Sequence, residues 1–371
     1  MANKNSNLHT AKKAKCDEFY TQLTDIEKEL HHYKEQFRDK VVYCNCDDAR
    51  QSNFFIFFSL KFEDYGLKKL ITTSFNANGK GTILIYEGDK NGNLMPDDEE
   101  IQVQELNGNG DFRSEECVEL LKQADIVVTN PPFSLFREYV AQLVQYDKKF
   151  LIIGNQNAIT YKEIFPLIKD GLLWLGSNGI KDMSFKVPST YGERETRFWI
   201  DENGQHWRSL GNACWITNME NNKQNHTKCL INTYNDSKYP KYDNYDAINV
   251  DKVIEIPYNF EGVIGVPITA LNYLCSDGLL HFEAPMRERE RMSIGLSMQT
   301  TATDKENESP QCLSRMRTAQ STESQLTQES LFNVYKIIGA MTSTKVDEFN
   351  YGYPYINGKK IYARILIQKV N

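Results

Sequence analysis

The sequence predicts a doubly wound α/β sheet, followed by a second and smaller domain that is mostly β or irregular. Its 371 residues suffice for one large or two smaller domains, and 40% of them are hydrophobic, so the chain can bury a sizeable core. From about residue 40, short apolar runs alternate with amphipathic stretches, which is typical of strands interleaved with helices. After Trp215 the composition shifts to Tyr, Asn, Asp and Pro. We therefore predict one domain over residues 1–220 and another over 221–371.

Four apolar runs predict the strands of the sheet. Each is too short for a helix and is bounded by polar or turn residues. They cover residues 40–46, 67–74, 125–129 and 150–154. Between the last two runs, residues 134–146 place apolar side chains at helical spacing, which predicts a crossover helix over one face of the sheet.

Two segments interrupt this pattern. Residues 80–106 contain two strand-like runs around a stretch rich in Gly, Asn and Asp, which predicts a β-hairpin excursion from the sheet. Residues 285–330 are rich in Ser, Thr, Gln, Glu, Arg and Met and hold almost no clustered aromatic or β-branched residues. Because such a stretch buries too little surface to offset its ordering entropy, we predict a disordered insertion there.

The charge distribution bears on the class of partner. The chain has 50 acidic and 43 basic residues, a net charge of −7, which gives no global sign of a nucleic-acid partner. However, residues 80–119 hold 11 acidic and 3 basic residues, while the last 41 residues hold 6 basic and 2 acidic ones. The net charge is therefore compatible with a DNA substrate if the acidic hairpin lies off the DNA path.

The location of the protein follows from what the sequence lacks. No apolar run reaches the roughly 18 to 20 residues of a membrane span, and the N-terminal 15 residues have no apolar core of a signal peptide. The eight cysteines include no Cys-x-x-Cys pair. We therefore expect a cytoplasmic protein with reduced thiols, no membrane partner and no metal site.

The segment Asn130-Pro131-Pro132-Phe133 carries the chemistry. It lies directly after a predicted strand and before the crossover helix. Two successive prolines fix two φ angles and remove two N–H donors, so they form a rigid turn at the carboxyl end of a strand, where open α/β sheets bind ligands. The alternative is an ordinary helix-initiating turn, with Asn130 as the cap and the prolines in the first helical positions.

A rigid Asn-Pro-Pro-Phe turn suits an exocyclic amine on a flat ring. The Asn130 side-chain oxygen and the Pro131 carbonyl can accept both N–H groups of an adenine amine, while Phe133 offers a stacking face. These two hydrogen bonds draw the nitrogen lone pair out of conjugation with the ring, so the amine becomes able to attack an activated methyl group. Such catalysis acts by electrostatic positioning and needs no titrating base.

This tetrapeptide resembles the catalytic motif of amino-group DNA methyltransferases, in the form that is characteristic of adenine-specific enzymes. The chain resembles the EcoRI-type adenine methyltransferases from about residue 15 to 280 and again over roughly its final 20 residues. The matching segments are 17–22 (DEFYTQ), 41–55 (VVYCNCDDARQSNFF), 110–114 (GDFRS), 125–136 (DIVVTNPPFSLF), 146–154 (YDKKFLIIG) and 239–250 (YPKYDNYDAINV).

The resemblance implies a Rossmann-like methyltransferase domain that binds S-adenosylmethionine as the methyl donor. The donor-binding positions that it implies are Asp17, Phe19, Tyr20, Thr21, Asp47, Asp48, Asp111 and Phe112. Asp47 and Asp48 follow the first strand in Cys46-Asp47-Asp48-Ala49, where methyltransferases usually have a Gly-rich acidic turn, and the sequence leaves open which Asp binds the donor. For stacking on the target base there are two candidate rings, Phe133 and Phe185.

The resemblance further implies a site-specific DNA adenine N6-methyltransferase that flips an adenine out of duplex DNA. It implies the modification enzyme of a restriction-modification system, or an orphan relative, that works as a monomer and is associated with the nucleoid. It also implies a cognate endonuclease that acts on the same DNA site without forming a stable complex with the methyltransferase. Residues after about 220 would read the bases. The candidate base contacts are Lys238, Lys241, Asn244, Asn249, Arg287, Arg289 and Arg291.

Two other functions remain open from the residues. The same acceptor geometry serves methyl transfer to cytosine N4, to RNA adenine or to a protein glutamine. The altered turn after the first strand also allows a DNA-binding relative that has lost catalysis.

Overall fold

The parts of the chain that the structure, a computed structural model, describes are residues 20–46, 52–93, 95–187, 189, 196–220, 228–275, 277–283, 332–342 and 352–370. They belong to two compact units, residues 1–222 and 223–371. Four of the predicted site residues, Asp17, Phe19, Asp47 and Asp48, and the predicted insertion at 285–330 lie outside the described residues.

The first unit is built on one mixed sheet. Its strands are β1 (Tyr20–Thr21), β2 (Val41–Cys44), β3 (Lys69–Thr73), β4 (Thr82–Tyr86), β5 (Gln102–Glu105), β6 (Ile126–Thr129), β7 (Lys149–Asn155), β8 (Trp174–Val187), β9 (Phe198–Ile200) and β10 (His206–Thr217). The central strands run parallel in the order β7-β6-β2-β3. They are apolar on both faces because helices cover both sides of a parallel sheet. The predicted mixed α/β sheet with parallel strands is confirmed.

Antiparallel strands extend this parallel centre on both sides. On one side β4 pairs with β3 and β5 pairs with β4, which makes the acidic segment an edge hairpin of the sheet. On the other side β10 pairs with β7, β8 pairs with β10, and the short β1 pairs with β8. Strand β9 pairs separately with β10.

The helices of the first unit begin at recognisable caps. They are α1 (Leu23–Leu30), α2 (Asn53–Leu60), α3 (Phe62–Tyr65), α4 (Glu115–Gln123), α5 (Phe136–Gln145) and α6 (Phe165–Lys169). The Ser52 hydroxyl accepts a hydrogen bond from the Phe54 amide at the start of α2, and Ser114 does the same for the Cys117 amide at the start of α4. Short 3-10 segments cover His31–Phe37, Phe133–Leu135 and Gln156–Thr160. In the described ranges no helix has the length and apolar character of a membrane span.

Helix α2 packs into an aromatic core. Its sequence NFFIFFSL is apolar nearly all round, as expected for a helix with neighbours on several sides. The ring of Phe58 lies 5.3 Å from that of Phe37, and the ring of Phe54 lies 6.2 Å from that of Trp215 on β10. This core holds α2 directly after the turn that follows β2.

The second unit is mostly β. Its strands are β11 (Ile248–Asn249), β12 (Ile264–Val266), β13 (Leu279–Glu283), β14 (Phe332–Met341), β15 (Tyr355–Ile356), β16 (Lys359–Lys360) and β17 (Arg364–Lys369), with 3-10 segments at Val253–Glu255 and Ile268–Tyr273. Five strands form a sheet in the order β11-β12-β17-β14-β13, and β15 and β16 form a separate hairpin.

A polar network lies inside the second unit. Arg364 is only 6% exposed, and its Nε donates to Asn249 Oδ1 while its Nη2 donates to Asp251 Oδ1, at 2.9 and 2.8 Å. The Tyr242 hydroxyl also donates to Asn249 Oδ1, at 2.8 Å. Asn249, a candidate base contact from the sequence, is therefore occupied within the fold.

Candidate active site

The central strands contain a point where the direction of winding reverses. From β2 the chain moves to β3 on one side, and later to β6 on the other side of β2. The carboxyl ends of β2 and β6 therefore lie side by side at one edge of the sheet, with Asn45 and Asn130 as the residues that follow them. In open α/β sheets this reversal opens the crevice that binds ligands.

Asn45 connects the two strand ends. It is 3% exposed, its backbone carbonyl accepts a hydrogen bond from the Thr129 hydroxyl, and its Oδ1 accepts one from the Tyr139 hydroxyl on α5. Burial raises the pKa of the Tyr139 hydroxyl well above its usual value, so this group stays protonated and remains a donor. These contacts fix the end of β2 against the end of β6.

The Asn-Pro-Pro-Phe turn begins at this edge. Asn130 is 9% exposed, Pro131 is buried, and both Pro132 and Phe133 are half-buried. The α-helix starts only at Phe136, after a 3-10 turn in which the Leu135 amide donates to the Pro132 carbonyl at 2.9 Å. Asn130 therefore does not cap the helix, and the helix-initiating alternative is wrong. The turn is an independent rigid element between β6 and α5.

The position of α5 against the sheet depends on Gly154 of β7. A Cβ atom at Gly154 would lie 2.8 Å from the Phe136 ring and 3.1 Å from Ile216 Cδ1. Because Phe136 is the first residue of α5, the absence of a side chain at Gly154 lets the helix start close to the sheet. The close approach of Phe136 to Gly154 therefore also positions the C-terminal end of the Asn-Pro-Pro-Phe turn.

We expect Gly154→Ala to destabilise the protein by about 1–3 kcal/mol, the usual cost of overpacking a core, and to lower methyl transfer by displacing Phe136. Urea unfolding measures the first effect and a transfer assay the second. The matched change Gly108→Ala, whose added Cβ has no heavy atom within 4 Å, should leave the unfolding midpoint nearly unchanged. Equal midpoints for the two variants would contradict this account of the packing.

The loop before α4 brings two predicted donor-binding residues to the same edge. Gly110 has φ +80°, and a Cβ there would come within 2.0 Å of the carbonyl oxygen of Ser74, which directly follows β3. Only glycine fits this backbone conformation and this approach. Asp111 and Phe112 are thereby held beside the carboxyl end of β3, next to β2.

Arg113 holds the Asp111 carboxylate. Its Nε donates to Oδ1 at 2.9 Å and its Nη2 to Oδ2 at 2.7 Å, while its Nη1 donates to Glu138 Oε2 on α5 at 3.1 Å. These bonds from the guanidinium lower the pKa of Asp111 from its usual value, so the carboxylate is charged at neutral pH. The Arg113 backbone amide also donates to Oδ1, at 2.9 Å, so Oδ2 is the oxygen that keeps a second lone pair with which to accept from a ligand.

Phe112 links this loop to the turn. The ring is 5% exposed, and it contacts the Tyr139 ring edge-on, with centroids 5.0 Å apart and an interplanar angle of 80°. Tyr139 in turn binds Asn45, and Asn45 binds Thr129, the last residue of β6. A chain of contacts therefore runs from Phe112 to the residue that precedes Asn130. Asp111, Phe112 and the Asn-Pro-Pro-Phe turn therefore belong to one connected region.

The N-terminal segment reaches this region through α2. Thr21 pairs with Phe185 across β1 and β8, and its carbonyl accepts a hydrogen bond from Asn53 Nδ2, at the start of α2, at 2.6 Å. Thr21 is 1% exposed, and its hydroxyl has no hydrogen-bond partner among the residues that the structure describes. Tyr20, the other predicted donor-binding residue here, is half-buried and pairs with Lys186.

The two predicted stacking rings differ in burial. Phe185 is fully buried in the core of the first unit, whereas Phe133 packs against that core and keeps part of its surface exposed. In this structure only Phe133 can offer a face to an incoming base, and Phe185 would first have to leave the core.

Cys46, the second residue after β2, has a backbone conformation that favours glycine. Cys46 has φ 68°, in the left-handed region that glycine adopts most readily. The chain therefore keeps at Cys46 a backbone conformation suited to the usual glycine.

Sequence reasoning missed Asn45, Tyr139 and Arg113. Asn45 could have been chosen from the sequence, because it is a polar residue directly after an apolar strand, as Asn130 is. Tyr139 was indistinguishable from the other apolar positions of α5. No pattern in the sequence marked Arg113, because its pairing with Asp111 depends on the local geometry of the loop.

A cluster of residue types that can bind metal ions lies in the second unit, among the described residues. Donor atoms of Cys275, Asp277 and His281 come within 4.8 Å of one another. His281 Nε2 lies 2.7 Å from Asp277 Oδ2, so two of the three side chains pair directly. No disulfide joins any of the described cysteines, which are Cys44, Cys46, Cys117, Cys214, Cys229 and Cys275.

Comparison with known proteins identifies the family of the chain. The profile of the family described as "Adenine-specific methyltransferase EcoRI" matches residues 7–370. The chain is 52% identical to the type II methyltransferase M.EcoRI of Escherichia coli over 282 residues, which cover 72% of this chain and 86% of the relative. It is 43% identical over 270 residues to the type II methyltransferase M.MpnI of Mycoplasma pneumoniae, covering 71% of this chain and 81% of that protein. No solved structure matches it significantly. The resemblance seen in the sequence is confirmed, and the chain belongs to the EcoRI family of adenine-specific methyltransferases.

Proposed function

We propose that this adenine-specific DNA methyltransferase is the modification enzyme of a type II restriction-modification system and transfers a methyl group from S-adenosylmethionine to N6 of an adenine flipped out of duplex DNA. The observation that carries the proposal is the rigid Asn130-Pro131-Pro132-Phe133 turn at the reversal point of the sheet. Relatives with the name type II methyltransferase support the biological setting. The reversal of strand order supports a doubly wound, Rossmann-like sheet.

The residues around the turn fit S-adenosylmethionine as the donor. The buried hydroxyl of Thr21 has no partner in the described ranges, the Asp111 carboxylate is charged, and the largely buried ring of Phe112 follows it in the chain. We propose that Asp111 accepts from the amine of the donor's adenine and that Phe112 packs on its ring. Tyr20 and Thr21 would line the same pocket. On the resemblance alone we add the four positions Asp17, Phe19, Asp47 and Asp48.

When bound, S-adenosylmethionine would supply an electrophilic methyl group: its bond to sulfur breaks as the bond to the amine nitrogen forms, S-adenosylhomocysteine leaves, and the amine loses one proton to water. The chain's own contribution is to position the nucleophile. Asn130 Oδ1 and the Pro131 carbonyl accept the two N–H groups of the target amine, and the lone pair then points at the methyl carbon. Phe133 stacks on the flipped ring and excludes water from one face. Pro131 and Pro132 keep both acceptors in place, so little reorganisation is needed during the reaction.

The proposal extends to partners. Duplex DNA is the substrate, a separate endonuclease acts on the same site without a stable complex, and the methyltransferase works as a monomer on chromosomal DNA in the cytoplasm. We assign target recognition to the second unit, because the last 41 residues hold 6 basic and 2 acidic residues. The acidic β4–β5 edge of the first unit would lie off the DNA path.

The product identifies the reaction. Purified protein is incubated with methyl-labelled donor and unmodified duplex DNA, and the DNA is digested to nucleosides. We expect all label in N6-methyladenine. Parallel incubations with RNA and with protein extract serve as substrate controls. Label in cytosine, or label only in RNA or protein, would overturn the proposed substrate, and tight DNA binding without any transfer would indicate a non-catalytic DNA-binding protein.

A further inference from the structure

The second unit carries a short hairpin, residues 353–362, which we call the lysine hairpin. Tyr355 pairs with Lys360 and Ile356 with Lys359 across β15 and β16. The two residues between the strands, Asn357 and Gly358, have φ angles of 50° and 70°. An Asn-Gly pair with both φ angles positive is the favoured two-residue turn of a β-hairpin, because its twist matches that of the strands.

The hairpin is fastened to the rest of the second unit. Both oxygens of Asp243 accept hydrogen bonds from the turn, Oδ1 from the Asn357 amide at 3.0 Å and Oδ2 from the Gly358 amide at 2.7 Å. The Asp243 amide in turn donates to the Tyr355 carbonyl at 2.9 Å. Asn244 Nδ2, another candidate base contact from the sequence, donates to the Tyr353 carbonyl at 3.0 Å. These contacts make the hairpin a preorganised element.

The side chains that the lysine hairpin presents are basic and aromatic. Tyr362 is 88% exposed, the highest value among the large exposed apolar and aromatic side chains that the structure describes. Lys359 and Lys360 are exposed, and neither forms an ion pair with any residue in the described ranges. By contrast Arg364 pairs with Asp251 at 2.8 Å.

The charged residues of this segment are all basic, and the nearest carboxylate described above is that of Asp243 at the turn. Residues 352–370 hold four basic residues and no acidic one. Arg364 and Lys369 are paired with acidic residues elsewhere in the unit, so the positive charge that is left concentrates on the two hairpin lysines. Lys360 Nζ lies over the ring of Tyr353, 2.9 Å from its centroid. Two exposed lysines with no ion pair in the described ranges, beside an exposed tyrosine, suit a polyanion with flat or sugar surfaces between its charges.

We propose that the lysine hairpin is a DNA-contacting element, in which Lys359 and Lys360 bind phosphates of the duplex and Tyr362 packs against the adjoining sugar or base edge. This inference rests on duplex DNA being the substrate of the proposed function. A two-stranded ribbon is narrow enough for the major groove, which is about 12 Å wide. The rigid turn means that little ordering entropy is lost when the hairpin docks.

Salt-dependent binding tests the inference. The double variant Lys359→Gln/Lys360→Gln is compared with the full-length wild-type protein for binding of a fluorescent duplex over a range of salt concentrations. We expect weaker binding and a plot of log affinity against log salt whose slope is shallower by about 2, one for each lost phosphate contact. Tyr362→Ala should weaken binding and leave the salt slope unchanged.

The matched control removes the same charge elsewhere. Lys40 and Lys68 are exposed and lie at the amino ends of β2 and β3, at the opposite edge of the sheet from the catalytic turn. The variant Lys40→Gln/Lys68→Gln should keep the wild-type salt slope. Equal slopes for both double variants would overturn the inference, as would a hairpin variant that binds DNA like wild type.

The readouts separate this inference from the proposed function. With saturating DNA, the hairpin double variant should retain the wild-type kcat for methyl transfer while its KM for DNA rises. A fall in kcat at unchanged DNA affinity would refute a docking role for the hairpin. Absence of transfer in the wild-type protein would refute the proposed function instead, and the binding comparison would still test the hairpin.

Discussion

Asn130→Ala is expected to lower kcat for methyl transfer about 10²- to 10³-fold, the usual cost of removing one preorganised polar group from a reacting centre. The variant removes the side-chain oxygen that draws the lone pair of the target amine toward the methyl group. Because Pro131 and Pro132 still hold the backbone, we expect the donor affinity and the fold to be retained. Steady-state transfer with labelled donor measures kcat, and isothermal titration measures donor binding.

Two further variants sharpen this test. Asn130→Asp keeps one acceptor oxygen of the same reach, so it should retain more activity than Asn130→Ala. Asn203→Ala changes an exposed asparagine in the turn between β9 and β10 and should behave like wild type. If Asn130→Ala kept more than half of the wild-type kcat, the proposed role of the side-chain oxygen would be refuted.

Glu29→Ala is expected to give the largest loss of stability, about 3–5 kcal/mol. Glu29 is fully buried on α1, and its Oε1 accepts hydrogen bonds from the Tyr33 hydroxyl at 3.0 Å and the Ser177 amide at 2.5 Å. Its Oε2 accepts from the Asn178 amide at 2.9 Å and from Asn178 Nδ2 at 2.7 Å. Without the carboxylate, four hydrogen bonds are lost, two of them from backbone amides of β8, and the Ser177 amide keeps only its bond to the Tyr33 hydroxyl at 3.2 Å. Each buried donor that is left unsatisfied costs about 1–3 kcal/mol.

Urea unfolding followed by circular dichroism measures this loss as a shift of the midpoint. Glu29→Gln keeps the size of the side chain and one acceptor oxygen, so it should fall between wild type and Glu29→Ala. The control is Glu35→Ala, whose side chain is 79% exposed and should change the unfolding free energy by no more than about 0.5 kcal/mol. A midpoint for Glu29→Ala equal to that of the control would show that the buried network does not stabilise α1 against β8.

The parallel centre of the fold was predictable from the sequence. The four central strands are short apolar runs, and both faces of a parallel sheet are buried, so periodicity alone located them to within a few residues. The position of Asn130 directly after β6 was predictable, because an apolar run ends there and two prolines follow. The crossover helix was predicted at 134–146 and runs from Phe136 to Gln145, because the prolines delay its start through a 3-10 turn.

The long-range features were not predictable. The long strands β8 and β10 carry mixed polar and apolar residues, and their pairing is interrupted by register shifts. The burial of Phe185 depends on that register, because neighbouring residues of a strand face opposite sides and Lys186 is the exposed one. The contacts of Tyr139 with Asn45 and of Asp243 with the lysine hairpin join residues about a hundred positions apart, which local patterns do not report.

The central claim is that Asn130 Oδ1 and the Pro131 carbonyl hold the amine of the target adenine. The most direct test is a crystal structure of the protein with its cognate duplex and an unreactive analogue of the donor. The account predicts an adenine outside the helix, stacked on Phe133, with N6 about 2.7–3.2 Å from both oxygens. An adenine that remains stacked in the duplex, or an amine bound by other residues with Asn130 turned away, would contradict it.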